Sequence, residues 1–225
     1  MKALIKKDLY NLLSYKQSLI IIIAIIIITT ITNPKDIYTL PMILIIMIGI
    51  ISLSTFSYDE ISKSDKYILA LPVKKEDIVK SKYLLSIFSS LISAITGILL
   101  TFILYFILKE FKTGSLNLNI NLLFINSAIG LLAFSLIQSV QIPCVYKWGA
   151  ERGRIGLFIA IMIISLLVMG IYNFTTKVIT IDLDLNLKYL LNNIYIIYII
   201  IILICLVTEL ISYKLSLKIF KNKDY

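Results

Sequence analysis

Six apolar runs divide this chain, and their lengths suit a bilayer rather than a soluble core. They are Gln17–Thr32, Ile37–Phe56, Leu84–Leu108, Leu122–Val145, Ile155–Phe174 and Ile194–Leu210. A spanning helix needs roughly 20 apolar residues, so the first and last runs must borrow a turn from their flanks or thin the bilayer locally. Isoleucine fills the runs on every side of a helix, which lipid accepts and water does not. The runs are too long and too continuous for barrel strands, which alternate and stop near about ten residues. The expected fold class is therefore all-α: a polytopic membrane protein of six transmembrane helices, one domain over residues 1–225. Hydrophobic residues make up 59% of the chain, against about 45–50% in soluble domains.

Charge then orients the runs. A net charge of +9 would suggest nucleic acid in a soluble chain, but no basic stripe interleaves with aromatics, and no nucleic-acid partner is expected. With the N-terminus inside, only Lys35, Lys109, Lys112, Lys177 and Lys188 fall outside, leaving 17 of the 22 Lys and Arg residues in the cytoplasm. That asymmetry predicts six spans with both termini cytoplasmic.

The segments between runs carry further signals. Residues 1–16 repeat apolar positions at helical spacing (Met1, Leu4/Ile5, Leu9, Leu12/Leu13), with Lys2, Lys6, Lys7 and Asp8 on the other side. The pattern predicts an amphipathic helix in the headgroup layer, not a cleaved signal peptide. Asn33-Pro34 should break the first hairpin. Residues 57–83 form a connection longer than a hairpin needs, dense in both charge signs. There Tyr58-Asp59-Glu60 should open a short helix, Leu71-Pro72 should end it, and Glu76 and Asp77 should sit in the first turn of the next helix. Residues 212–225 form a basic tail.

Several chemistries are excluded. The chain has no histidine, which removes imidazole-based metal sites and triads. Cys144 and Cys205 have no ligand spacing and read as small core residues, so no metal site is expected. None of the eight glycines precedes a lysine, so there is no G-x-x-x-x-G-K phosphate loop. Catalytic residues and a cofactor bound by this chain are not expected, and energy must come from a partner or an ion gradient.

Phe56 to Tyr83, with the order F-x-Y-D-E, D-K-Y-x-L-x-L-P-V and I-V-x-x-K-Y, resembles bacterial ABC-2 type transporter permeases. Pro143 to Arg154 is similar to the family's tight loop between spans four and five, and SLKIFKNKDY to its basic tail. Lys74 departs from the small hydroxyl cap usual at that helix start. The resemblance implies a multi-pass protein of the bacterial cytoplasmic membrane, a dimer with a second permease copy or paralogue, and separate ABC ATPase subunits that hold ATP and Mg. It implies an N-terminal elbow helix and a cytoplasmic coupling helix between spans two and three. Carried over by position, the ATPase contacts would be Asp59, Glu60, Lys63, Asp65, Lys66 and Tyr67. The implied activity is ATP-driven export of an amphipathic or hydrophobic substrate, such as a peptide, antibiotic or lipid-like molecule. A non-transporting immunity or sensor subunit of the same family, and an ion-coupled secondary carrier, are the alternatives.

Polar residues inside the runs complete the reading. Ser86, Ser89/Ser90, Ser93 and Gly97 form a small-residue stripe, expected to pack closely against another helix. Asn126, Gln138 and Gln141 either line a substrate path or bond neighbouring helices. Glu209 is an acidic residue within a hydrophobic run. It reads either as a carboxylate snorkelling to the interface beside Lys214 or as a proton or ion site.

Overall fold

A computed structural model describes residues 2–64, 67–68, 73–111, 118–153 and 194–222, with isolated positions between 155 and 162. The expected fifth span, Ile155–Phe174, lies almost wholly outside them. The described elements are helical: α1 (Lys2–Leu13), α2 (Lys16–Thr32), a 3-10 helix (Pro34–Thr39), α3 (Leu40–Leu53), α4 (Thr55–Ile61), α5 (Lys75–Phe111), α6 (Ile120–Trp148) and α7 (Ile194–Lys221). Among the described residues, four helical stretches are long and apolar enough to cross a membrane: Ile37–Ile61, Lys75–Glu110, Ile120–Trp148 and Tyr198–Lys221. The pair α1 and α2, bent by 61°, makes a fifth if counted as one broken span. The described residues thus carry four or five of the six expected spans.

Local chemistry explains the breaks. Asn33 ends α2, and Pro34 opens the 3-10 helix with its fixed φ, as expected from the sequence. Glu76 and Asp77 occupy the first turn of α5, where carboxylates complement the exposed backbone N–H groups.

The centre of the bundle is α3, wedged between α5 and α6. Glycines set how close it comes. A Cβ on Gly97 would stand 2.8 Å from the Pro41 Cα, and one on Gly130 would stand 2.9 Å from the Met42 Cα. A side chain on Gly49 would collide with the Phe134 ring. Backbone-to-backbone approach of this kind is how membrane helices associate without a hydrophobic drive between them. Ser86, Ser90 and Ser93 are buried on α5, their hydroxyls bonded to carbonyls of their own helix. The stripe is a packing face, as its composition predicts.

α7 lies along α6 and more lightly against α5. Much of its surface, including Ile199, Leu203 and Leu210, is exposed, as are Ile92, Ile95 and Leu99 on α5. Two apolar clusters hold the bundle. One, with Leu53, Phe56, Val79, Tyr146 and Phe220, sits where α4 and the start of α5 meet. This is the end to which the charge count assigns the cytoplasm, called here the basic end. The other, with Ile26, Ile37, Leu44 and Leu104, lies toward the opposite end.

Three local expectations are corrected. On α1, Asp8 is 1% exposed and Leu4 is buried, whereas Leu9 and Leu13 are 51% and 61% exposed. The helix turns its acid inward because a buried ammonium waits there. Asp59 and Glu60 do not open a helix but close α4, which begins at Thr55 directly after α3. Lys63 then takes a left-handed φ of 50°, a conformation that reverses the chain. Pro143 lies inside α6, which runs on to Trp148, so the turn after span four is confined to Gly149.

Candidate functional site

Among the described residues, the densest polar chemistry is a buried ion-pair cluster at the basic end. The Lys82 ammonium donates to Asp8 Oδ1 at 2.9 Å, Asp59 Oδ2 at 2.5 Å and the Thr55 hydroxyl at 3.2 Å. Lys7 donates to Asp59 Oδ1 at 2.6 Å and stands 3.4 Å from Asp8. The Ser64 hydroxyl adds a bond to Asp59 Oδ1 at 2.9 Å. The Lys82 ammonium also sits 4.9 Å from the centre of the Phe56 ring. Two acids and two lysines therefore neutralise one another, and each helix supplies a charge that another needs: α1 gives Lys7 and Asp8, α4 gives Asp59, α5 gives Lys82. Buried ions are tolerated only with such mutual satisfaction.

Glu60 makes a second junction. Its Oε2 accepts the Ala150 backbone N–H at 2.5 Å, an acid at the start of the helical turn 150–153. Gly149 precedes it with φ 87°, and a Cβ there would meet Glu60 Oε1 at 2.8 Å. Glycine is needed for both reasons. Beyond this, Phe56 of α4, Tyr146 of α6 and Phe220 of α7 form an aromatic chain with centroids 5.4 Å and 5.1 Å apart. Tyr83 of α5 shares hydrogen bonds with Ser212 (2.5 Å) and Ser216 (2.9 Å) of α7, and Ser212 donates to the Ser139 carbonyl of α6. The tail joins too: Lys221 pairs with Glu76 at 2.6 Å.

Of the residues assigned to partner contact by resemblance, Asp59 is buried within the cluster and faces the chain's own lysines. Glu60 is exposed but carries the Ala150 cap. Lys63 is exposed, Tyr67 is 74% exposed, and the neighbouring Ile61 is 81% exposed. Asp65 and Lys66 lie outside the described residues. The members the sequence did not bring forward are Asp8 and Lys82. Asp8 is the sole acid among residues 1–16, and that isolation is the one signal that could have marked it.

The intramembrane polar residues separate. Asn126 donates to the Leu122 carbonyl of its own helix at 2.9 Å. Gln141 is buried on α6. Gln138, 1% exposed, donates to Glu209 Oε2 of α7 at 3.0 Å. Both residues line a partly open cavity of about 390 Å³ formed by α5, α6 and α7. Among the described residues no lysine or arginine stands within ion-pair distance of Glu209, and Lys214 is not its partner. No group of three or more metal-ligating side chains occurs among the described residues.

No curated protein and no solved structure matches the chain. The family described as ABC-2 family transporter protein matches it over residues 3–221.

Proposed function

The chain belongs to the ABC-2 transporter family and is the permease component of an ABC-type system; from that premise we propose that it is an exporter subunit working with a separate ATPase. It would sit in a bacterial cytoplasmic membrane with both termini inside, pair with a second permease copy or paralogue, and move an amphipathic or hydrophobic substrate outward by alternating access. ATP and Mg would be held by the ATPase.

The observation that carries this reading is the interlocked basic end. A segment that receives force from a partner must pass it to the spans without yielding. The Lys82–Asp8–Asp59–Lys7 cluster joins α1, α4 and α5, and the aromatic chain joins α4, α6 and α7. Projecting from this base is the exposed group Ile61, Lys63 and Tyr67. An aromatic and an aliphatic side chain beside a lysine, held on a rigid platform, suit a groove in a second protein. In this reading Asp59 belongs to the platform, and the ATPase would meet Ile61, Lys63 and Tyr67.

The test is retention of the ATPase by tagged permease. Lys63→Glu combined with Tyr67→Ala should insert normally and retain at most about a tenth of the ATPase, because reversing a complementary charge adds repulsion to lost attraction. Wild-type retention by this variant would place the coupling surface elsewhere. Transport driven by an ion gradient without any ATPase would replace the exporter reading with the carrier.

A further inference from the structure

We propose that the cavity between α5, α6 and α7 binds an amphipathic cation, with Glu209 holding its amine or quaternary ammonium head. The proposal rests on the permease reading and names the chemical class of its substrate.

The cavity volume of about 390 Å³ falls within the range of roughly 300–1,000 Å³ typical of small-molecule sites. Its walls include Leu91, Phe124, Phe134 and Leu206. Serine hydroxyls also line it, and Ser90, Ser127 and Ser135 each spend their proton on a carbonyl of their own helix. Among the described residues, the walls therefore present mainly methyl, methylene and ring surface, with Gln138, Tyr198 and Cys205 as the other polar groups.

Among the described residues that line the cavity, Glu209 is the one ionisable carboxyl. Glu209 accepts a hydrogen bond from Gln138, and a carboxylate has about four lone-pair directions to offer. Its remaining capacity faces a space whose walls offer no cation among the described residues. A neutral apolar ligand would strip water from this carboxylate and give nothing back, while an anion would be repelled. A cation meets both demands, since it supplies the missing charge and its hydrocarbon fills the walls.

The placement fits an elongated guest. Tyr198 and Glu209 both line the cavity and are eleven residues apart on α7, or about 16 Å along a helix. The carboxylate lies toward the basic end and Tyr198 toward the opposite end. The guest would thus lie along the bundle with its head toward the basic end.

The experiment uses the full-length protein in phosphatidylcholine nanodiscs, with tritiated decyltrimethylammonium as the probe and empty nanodiscs as background. Decyl sulfate and decyl maltoside, which share its chain, serve as competitors. Specific binding should be displaced by unlabelled decyltrimethylammonium and not by either competitor. Glu209→Gln should weaken it by about tenfold or more, and Glu209→Asp should keep most of it. Binding no greater than in empty nanodiscs, equal displacement by the sulfate or maltoside, or an unchanged affinity in Glu209→Gln would each overturn the proposal. Should Glu209→Gln fail to fold, the head-group selectivity of the wild type still decides. ATPase retention measured on the same preparation keeps the two readings apart. ATPase retained without cation binding rejects only the cation site, and cation binding without an ATPase rejects only the exporter.

Discussion

At the basic end, the carboxylates of Asp8 and Asp59 each lie against an ammonium, with both lysines shared between them. In the cavity, Glu209 has one amide hydrogen bond, from Gln138. Both regions remove charge from water, but only the first completes the neutralisation with its own residues. The difference separates two uses of a buried carboxylate. A closed network fixes helices relative to one another, because opening it strands an ion. An open carboxylate leaves a demand that something from outside can meet.

The largest expected effect comes from breaking the closed network. Lys82→Met leaves Asp8 buried and Asp59 short of a partner, and should cost about 3–5 kcal/mol. Thermal unfolding of the purified protein would report it as a large drop in midpoint or a failure to accumulate. A variant as stable as wild type would mean that the cluster does not hold the basic end together. Next in size is Glu60→Ala, which removes the acceptor of the Ala150 N–H and should cost about 1 kcal/mol. Its signature should be local, as faster hydrogen exchange at residues 150–153 with little change elsewhere. Glu209→Gln sharpens the contrast with Lys82. The amide oxygen can still accept from Gln138, so stability should move by no more than about 0.6 kcal/mol. A loss as large as that of Lys82→Met would place Glu209 among the structural charges. Smallest of all is Lys221→Ala. Its pair with Glu76 is exposed on both sides, and the melting temperature should stay within measurement error.

Features written in adjacent residues could be read from the sequence. Asn33-Pro34 ends a helix by local sterics, and Glu76 and Asp77 announce a helix start through the backbone groups beside them. The serine stripe with Gly97 could be read as a packing face because small residues at helical spacing have one main use in lipid. What could not be read depends on distant pairs. Lys82 meets Asp8 across 74 residues and Asp59 across 23. In the sequence alone, each of these is a charge beside an apolar run, which ordinarily means a solvated end. The inward face of α1 is hidden for that reason, since its periodicity marks two faces but not which one meets a buried lysine. The resemblance that sets Pro143 to Arg154 at a tight loop does not say where the helix before it ends. Within a membrane bundle, neighbouring groups can compensate for the lost N–H, and α6 continues past it. Gln138 stands out in the sequence as a polar residue within an apolar run, but its partner on α7 is visible only from the packing of the two helices.

The length of α7 has a mechanical consequence. Its 28 residues amount to about 42 Å, well beyond the roughly 30 Å of hydrocarbon that a span must cross. Phe220 stands eleven residues past Glu209, about 16 Å along the axis. The helix is therefore a lever with one arm clamped by Tyr83, Tyr146 and Glu76, and the other reaching along the cavity wall. For a straight rod of that reach, a sideways shift of about 3 Å at Phe220 is a tilt of about 10° at Glu209. A tilt of that size swings the carboxylate relative to Gln138 and carries Tyr198, on the far arm, in the opposite direction. A small stroke at the basic end would loosen one end of the cavity while tightening the other.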